Sequence, residues 1–141
     1  MEILLVEDDD DDLDLTLRAL RNANIANQVR IARDGAEALN ILFTVDGIAH
    51  QSLPKLILLD LKLPLVDGIE VLRRIKADRH TKVIPVVVLT SSREESDLVR
   101  TYELGANSFI VKPVDFEQFT SAVQQIGFYW LLLNQPPAHP K

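Results

Sequence analysis

The chain has 141 residues, a formal net charge of −6 and no cysteine, and 47% of its residues are hydrophobic. That length suits one domain with a real core, and the missing thiols exclude disulfides and thiolate sites and fit a reducing cytoplasm. No apolar stretch approaches the roughly 20 residues that span a bilayer, and an acidic chain without a basic, aromatic-studded stripe argues against nucleic acid.

Residues 3–6 read as a first strand, and six acids follow directly: Glu7, Asp8, Asp9, Asp10, Asp11 and Asp12. Like charges packed this closely destabilise a fold unless water or a cation screens them. For Asp9, Asp10, Asp11 and Asp12 the plain reading is helix-start charge, since carboxylates suit a helix N-terminus. For Glu7 and Asp8, at the strand end, a bound divalent cation is the sharper reading. Leu13, Leu17 and Leu20 then recur at helical spacing. A second strand covers 29–32, and Asp34 with Glu37 forms a capping-box pattern ahead of Ala38, Leu39, Leu42 and Phe43. A loop occupies about 46–54. The apolar strand 56–59 ends at Asp60; Asp67 and Gly68 mark a turn before Ile69, Leu72 and Ile75. Strand 84–89 ends at Thr90, and Ser92 with Glu95 repeats the capping pattern before Leu98 and Tyr102. Strand 109–111 ends at Lys112, and Asp115 with Gln118 opens a final helix.

Five strand-then-helix repeats, with strands apolar on both faces, predict an α/β fold: a doubly wound, five-stranded parallel sheet flanked by five helices. Such sheets gather functional groups beyond the carboxyl ends of their strands. An Asp after a strand is usually a cap or turn residue, a Lys before Pro113 is usually solvated, and Thr90 can cap a helix. Gathered at one edge, Glu7, Asp8, Asp60, Thr90 and Lys112 form a different object. Carboxylates offer the hard oxygens that Mg²⁺ prefers. One of them can become an acyl phosphate, while a lysine and a hydroxyl meet the phosphoryl oxygens.

The runs LLVEDD, LILLDLKLPLVDG, VVVLTSS and GANSFIVKP, in that order, resemble the response-regulator receiver domain of two-component signalling. The resemblance covers about residues 2–132 and implies a flavodoxin-like sheet in the order 2-1-3-4-5. It implies Asp60 as the phosphoacceptor, with Mg²⁺ held by Glu7, Asp8, Asp60 and the Lys62 backbone carbonyl. It implies Thr90 and Lys112 as phosphoryl-contacting residues, Thr90 and Phe109 as a switch pair, and a cis bond before Pro113. Lys62 and Ser92 fall at positions that tune acyl-phosphate lifetime in the family. Phe109 lacks a hydroxyl, and a switch or a plain core phenylalanine both fit it. By the same resemblance, a sensor histidine kinase is the partner, and the protein is a phosphoacceptor switch rather than an enzyme in the ordinary sense. It would catalyse its own phosphorylation and slow dephosphorylation.

Phe119, Val123, Ile126, Trp130 and Leu133 make a stripe that should pack on the sheet. Phe128, Tyr129, Leu131 and Leu132 then leave the helix end apolar around most of its circumference, which reads as a homodimer contact or as a surface covered by the tail. The domain is expected over 1–133, with a Pro-rich tail over 134–141. The segment FYWLLLNQPP also resembles the stand-alone receivers that serve cyanobacterial phytochromes. That resemblance implies a phytochrome as the kinase and a protein contact as the output. Two other readings compete. A phosphatase of the haloacid-dehalogenase kind would use Asp8-Asp9-Asp10, but it needs a further acidic pair where only Asp115 and Glu117 follow. A degenerate receiver would have lost an acid, the hydroxyl or the lysine. His50, His80 and His139 are scattered without a ligand or phosphorelay pattern and are expected at the surface.

Overall fold

A computed structural model describes residues 2–23, 28–90 and 103–126. The strands are β1 (Ile3–Val6), β2 (Val29–Ala32), β3 (Leu56–Asp60), β4 (Val86–Thr90) and β5 (Ser108–Val111). Among the described residues the helices are α1 (Asp10–Asn22), α2 (Gly35–Leu42), α3 (Gly68–Ala77) and α4 (Phe116–Ile126). The five strands form one parallel sheet in the order β2-β1-β3-β4-β5. The expected fold and strand order are therefore present. The helix expected after Ser92, with Glu95, Leu98 and Tyr102, lies outside the described residues. So do Phe128, Tyr129, Trp130, Leu131, Leu132 and Leu133, and with them the expected dimer surface and tail.

The inner strands β1, β3 and β4 are buried on both faces because they alternate apolar side chains into two cores. Leu4, Val6, Ile57, Leu59, Val86 and Val88 pack towards α2 and α3, with Leu72 and Ile75. Ile3, Leu5, Leu58, Val87, Leu89 and Ile110 pack towards α1 and α4, with Leu20, Phe119 and Val123. Each such side chain contributes roughly 1.5–3 kcal/mol by leaving water, and the alternation fixes the register, since a one-residue slip would exchange the two cores.

Two helix starts carry the expected caps, at Asp34 and Asp115, and Asp67, read from sequence as a turn residue, caps a third. Asp34 Oδ1 accepts from the Glu37 N–H at 2.7 Å, and Glu37 Oε1 accepts from the Arg33 N–H at 2.7 Å. Asp67 Oδ1 accepts from the Glu70 N–H at 2.9 Å, and Asp115 Oδ1 from the Gln118 N–H at 2.8 Å. Three boundaries differ from the sequence reading. β4 begins at Val86 rather than Ile84, because Pro85 has no N–H to give and the Val86 N–H is taken by Asn107 Oδ1 at 2.9 Å. β5 begins one residue early, at Ser108. Phe43 is not on the helix: it is extended, pairs with Ala49 in an antiparallel bridge, and lies under the Arg74 guanidinium at 5.4 Å.

Two contacts hold the loop between β3 and α3. The Gly68 N–H donates to Leu61 O at 2.9 Å, and a Cβ on Gly68 would lie 2.2 Å from Asp60 O. A Cβ on Gly35 would lie 1.8 Å from Val66 O. Helices α2 and α3 thus start directly against loop backbone. At the other end of α3, Lys76 Nζ donates to Ile84 O at 3.0 Å and to Lys82 O at 3.1 Å, and reaches Asn107 Oδ1 at 3.5 Å. Burial lowers the Lys76 ammonium's pKa. Gly68→Ala should cost about 2 kcal/mol in urea denaturation, because backbone cannot yield as a side chain can. A loss under about 0.5 kcal/mol would show that the loop is free to move aside.

Candidate functional site

Parallel pairing brings every strand's carboxyl end to one edge, and the ladder runs one residue further to fix the site's backbone. The Glu7 N–H donates to Ala32 O at 2.9 Å, the Leu61 N–H to Leu89 O at 3.3 Å, and the Lys112 N–H to Thr90 O at 2.8 Å. Glu7 is fully buried, Asp60 is 5% exposed and Thr90 2% exposed, while Asp8 and Lys62 face solvent. The Lys112–Pro113 peptide is cis, and Gln118 Nε2 donates to Pro113 O at 3.0 Å.

Lys112 Nζ is the centre of the cluster. It lies 2.7 Å from Glu7 Oε1, 3.0 Å from Asp12 Oδ2 and 3.0 Å from Asp60 Oδ2, with its side chain 8% exposed. The contacts to Asp12 and Asp60 are aligned hydrogen bonds. The Glu7 contact is an ion pair out of hydrogen-bond alignment, so Glu7 Oε1 is a buried oxygen with no hydrogen bond. Burial pushes the Glu7 carboxyl up to about 7; Lys112 opposes that rise and the charge of Asp60 adds to it. For Lys112, burial alone would favour the neutral amine. Its contacts with Glu7 and Asp60 outweigh burial and hold the ammonium's pKa above its ordinary value.

Glu7, Asp8 and Asp60 each offer a carboxylate oxygen, and these lie within 4.8 Å of one another. The donor set suits a hard divalent cation: carboxylate oxygens, two of the acids buried and sharing a single ammonium, beside an exposed face where water can complete the shell. Bound there, a cation would neutralise negative charge on a phosphoryl group. Asp60 Oδ1 also accepts from the Lys62 N–H at 3.2 Å. Thr90 stands at the end of β4 on the same edge, and Phe109 is half-buried against the core on the α3 side. Ser92 lies outside the described residues.

Two residues of the site escaped the sequence reading. Asp12 is not merely helix-start charge. Asp9 is the N-cap of α1 and accepts from the Asp12 N–H at 2.9 Å. Asp12 is thus the third helical residue, and helical side chains tilt towards the N-terminus, here towards the sheet edge. That register was the available signal. The second is Arg33, whose guanidinium donates to Asp8 O at 3.1 Å and to Asp10 Oδ1, tying the end of β2 to the acidic loop. No local pattern announced it. Replacing Lys112 with Met leaves three carboxylates without their shared cation. In metal-free buffer this should cost about 3 kcal/mol by denaturant unfolding, and a divalent cation should recover part of the loss. Unchanged stability would mean that the cluster is already neutral.

The chain matches the model of the response regulator receiver domain over residues 3–124. A probable methanogenesis regulatory protein, FilR2 of Methanothrix harundinacea, is 43% identical over 96% of this chain and 86% of its own length. Response regulator Rcp1 of Synechocystis sp. is 41% identical over 96% of this chain and 92% of its own. Among solved structures, the bacteriophytochrome response regulator AtBRR is 55% identical, with a TM-score of 0.78 over 95% of this chain and 97% of that one. The Mn²⁺-bound form of response regulator Rcp1 is 40% identical, with a TM-score of 0.72 over 96% of this chain and 98% of that one. Motifs, fold and these similarities agree: the chain belongs to the response regulator receiver domain family.

Proposed function

We propose that the protein is a phosphoaspartate switch, loaded on Asp60 by a sensor histidine kinase in a Mg²⁺-dependent reaction. The observation that carries this is the Asp60 carboxylate held 3.0 Å from Lys112 Nζ, within a group of three acids that fits a divalent cation. An Asp60 oxygen attacks phosphorus as a carboxylate, so no general base is needed. The bond from phosphorus to the histidine ring nitrogen breaks, and that nitrogen keeps the electron pair. Lys112 meets charge on the phosphoryl oxygens and Thr90 supplies a hydroxyl. The cation would be held by Glu7, Asp8, Asp60 and the Lys62 carbonyl. That the similar response regulator Rcp1 has a Mn²⁺-bound form supports a cation here.

The similarity to AtBRR, a bacteriophytochrome response regulator, supports a phytochrome as the kinase. Output runs through a changed protein-contact surface, with Thr90 and Phe109 as the moving pair. The protein works in the cytoplasm as a homodimer joined through Phe128, Tyr129, Leu131 and Leu132. It acts on itself rather than on a separate substrate, speeding its own phosphorylation and slowly losing the phosphate.

Acetyl phosphate with Mg²⁺ should add one hydroxylamine-labile phosphoryl group, and Asp60→Asn should add none; full labelling of that variant would sink the assignment. Free Mg²⁺ at about 100 times its Kd should stabilise the protein by about 2.7 kcal/mol. Asp8→Asn should shift that response to higher Mg²⁺, as read by thermal unfolding. Light scattering that finds a monomer with and without a phosphate mimic would remove the homodimer.

A further inference from the structure

Lys112 and Asp12 are 100 residues apart in sequence, yet Lys112 Nζ donates to Asp12 Oδ2 at 3.0 Å. Asp12 is itself held, since its backbone N–H donates to Asp9 Oδ1 at 2.9 Å. An ammonium has three N–H groups, and three carboxylates surround this one: Glu7, Asp12 and Asp60. Two of the three have other work. Glu7 and Asp60 belong with Asp8 to the group that suits a divalent cation, and Asp12 stands outside that group. Asp60 also gives an oxygen to phosphorus if it is the acceptor. Asp12 is the one carboxylate of the three that neither a cation nor a phosphoryl group would claim.

We propose that Asp12 is a positioning residue for Lys112, tethering the ammonium at the acceptor carboxylate while Glu7 and Asp60 change partners. The inference rests on Asp60 being the phosphoacceptor. With acetyl phosphate, an Asp60 oxygen bonds to phosphorus, the bond from phosphorus to the bridging acetyl oxygen breaks, and acetate leaves with the electron pair. Charge on the phosphoryl oxygens must then find an N–H already aimed at it. A lysine side chain is long and rotamer-rich, and fixing it beforehand removes that ordering from the transfer step. Asp12 supplies that fixing from a helix start rather than from a residue that takes part in the chemistry.

The test uses the full chain, acetyl phosphate as donor and saturating Mg²⁺, with the wild type, D12N, D12E, K112M and the D12N/K112M double variant. D12N should label about tenfold more slowly than wild type, less than the roughly 100-fold that a 1 Å misplacement can cost, because Lys112 keeps its contacts with Glu7 and Asp60. Its Mg²⁺ affinity, read by thermal unfolding, should stay within about threefold, which also shows that the variant is folded. D12E, which keeps the carboxylate, should regain part of the rate. In the K112M background D12N should have no further effect, because the cycle isolates a partnership with the lysine. In nitrogen-labelled protein the Lys112 ammonium protons should exchange faster with water in D12N. D12N labelling at the wild-type rate, or slowing K112M as much as it slows wild type, overturns the tether alone. A wild type that takes no label overturns the acceptor reading and the tether with it.

Discussion

One ammonium shared by three carboxylates organises this molecule's working edge. Lys112 Nζ reaches Glu7, Asp12 and Asp60, which come from the end of β1, the start of α1 and the end of β3. Burying acids together is costly unless a cation stands among them. The cation can stand there only if β5, β3 and β1 share a direction and a register. The parallel sheet supplies that direction, and its two interleaved cores supply the register.

The balance of charge at this edge stays negative with the lysine in place. Three acids face one base, and Asp8 adds a fourth carboxylate at the rim. Glu7 shows the imbalance: it is fully buried, and even with Lys112 at 2.7 Å burial pushes its carboxyl up to about 7. Such a site holds a standing demand for positive charge from outside. Its neighbours are arranged to keep the geometry under that demand. Arg33 ties down the Asp8 carbonyl, and the ladder bonds of Glu7 and Lys112 fix their backbones.

Most of the fold was legible in the sequence because the inner strands β1, β3 and β4 are short apolar runs that stop at a polar residue, whereas β2, with Arg30 exposed in its middle, carries a weaker signal. Asp60, Thr90 and Lys112 could be read as strand ends one by one, and the parallel fold then put them together. The caps at Asp34 and Asp115 were legible because the pattern that signals them is local. Phe43 was misread, because a helical spacing of apolar residues continues through a position where the backbone has already turned extended. Asp12 and Arg33 were missed for a related reason. Their partners, Lys112 and Asp8, are distant in sequence, and a run of six acids offers no clue to which one turns inward.

Helix α3 joins two parts of the molecule that the sheet alone keeps apart. Its first residue, Gly68, is pressed against the backbone of Asp60, and near its last turn Lys76 grips Ile84 O and reaches towards Asn107. Those contacts sit at the entries to β4 and β5, the strands that end in Thr90 and lead to Lys112. The helix is therefore a strut with both ends pinned. One helix thus spans from the acceptor loop to the entries of the two strands that carry Thr90 and lead to Lys112.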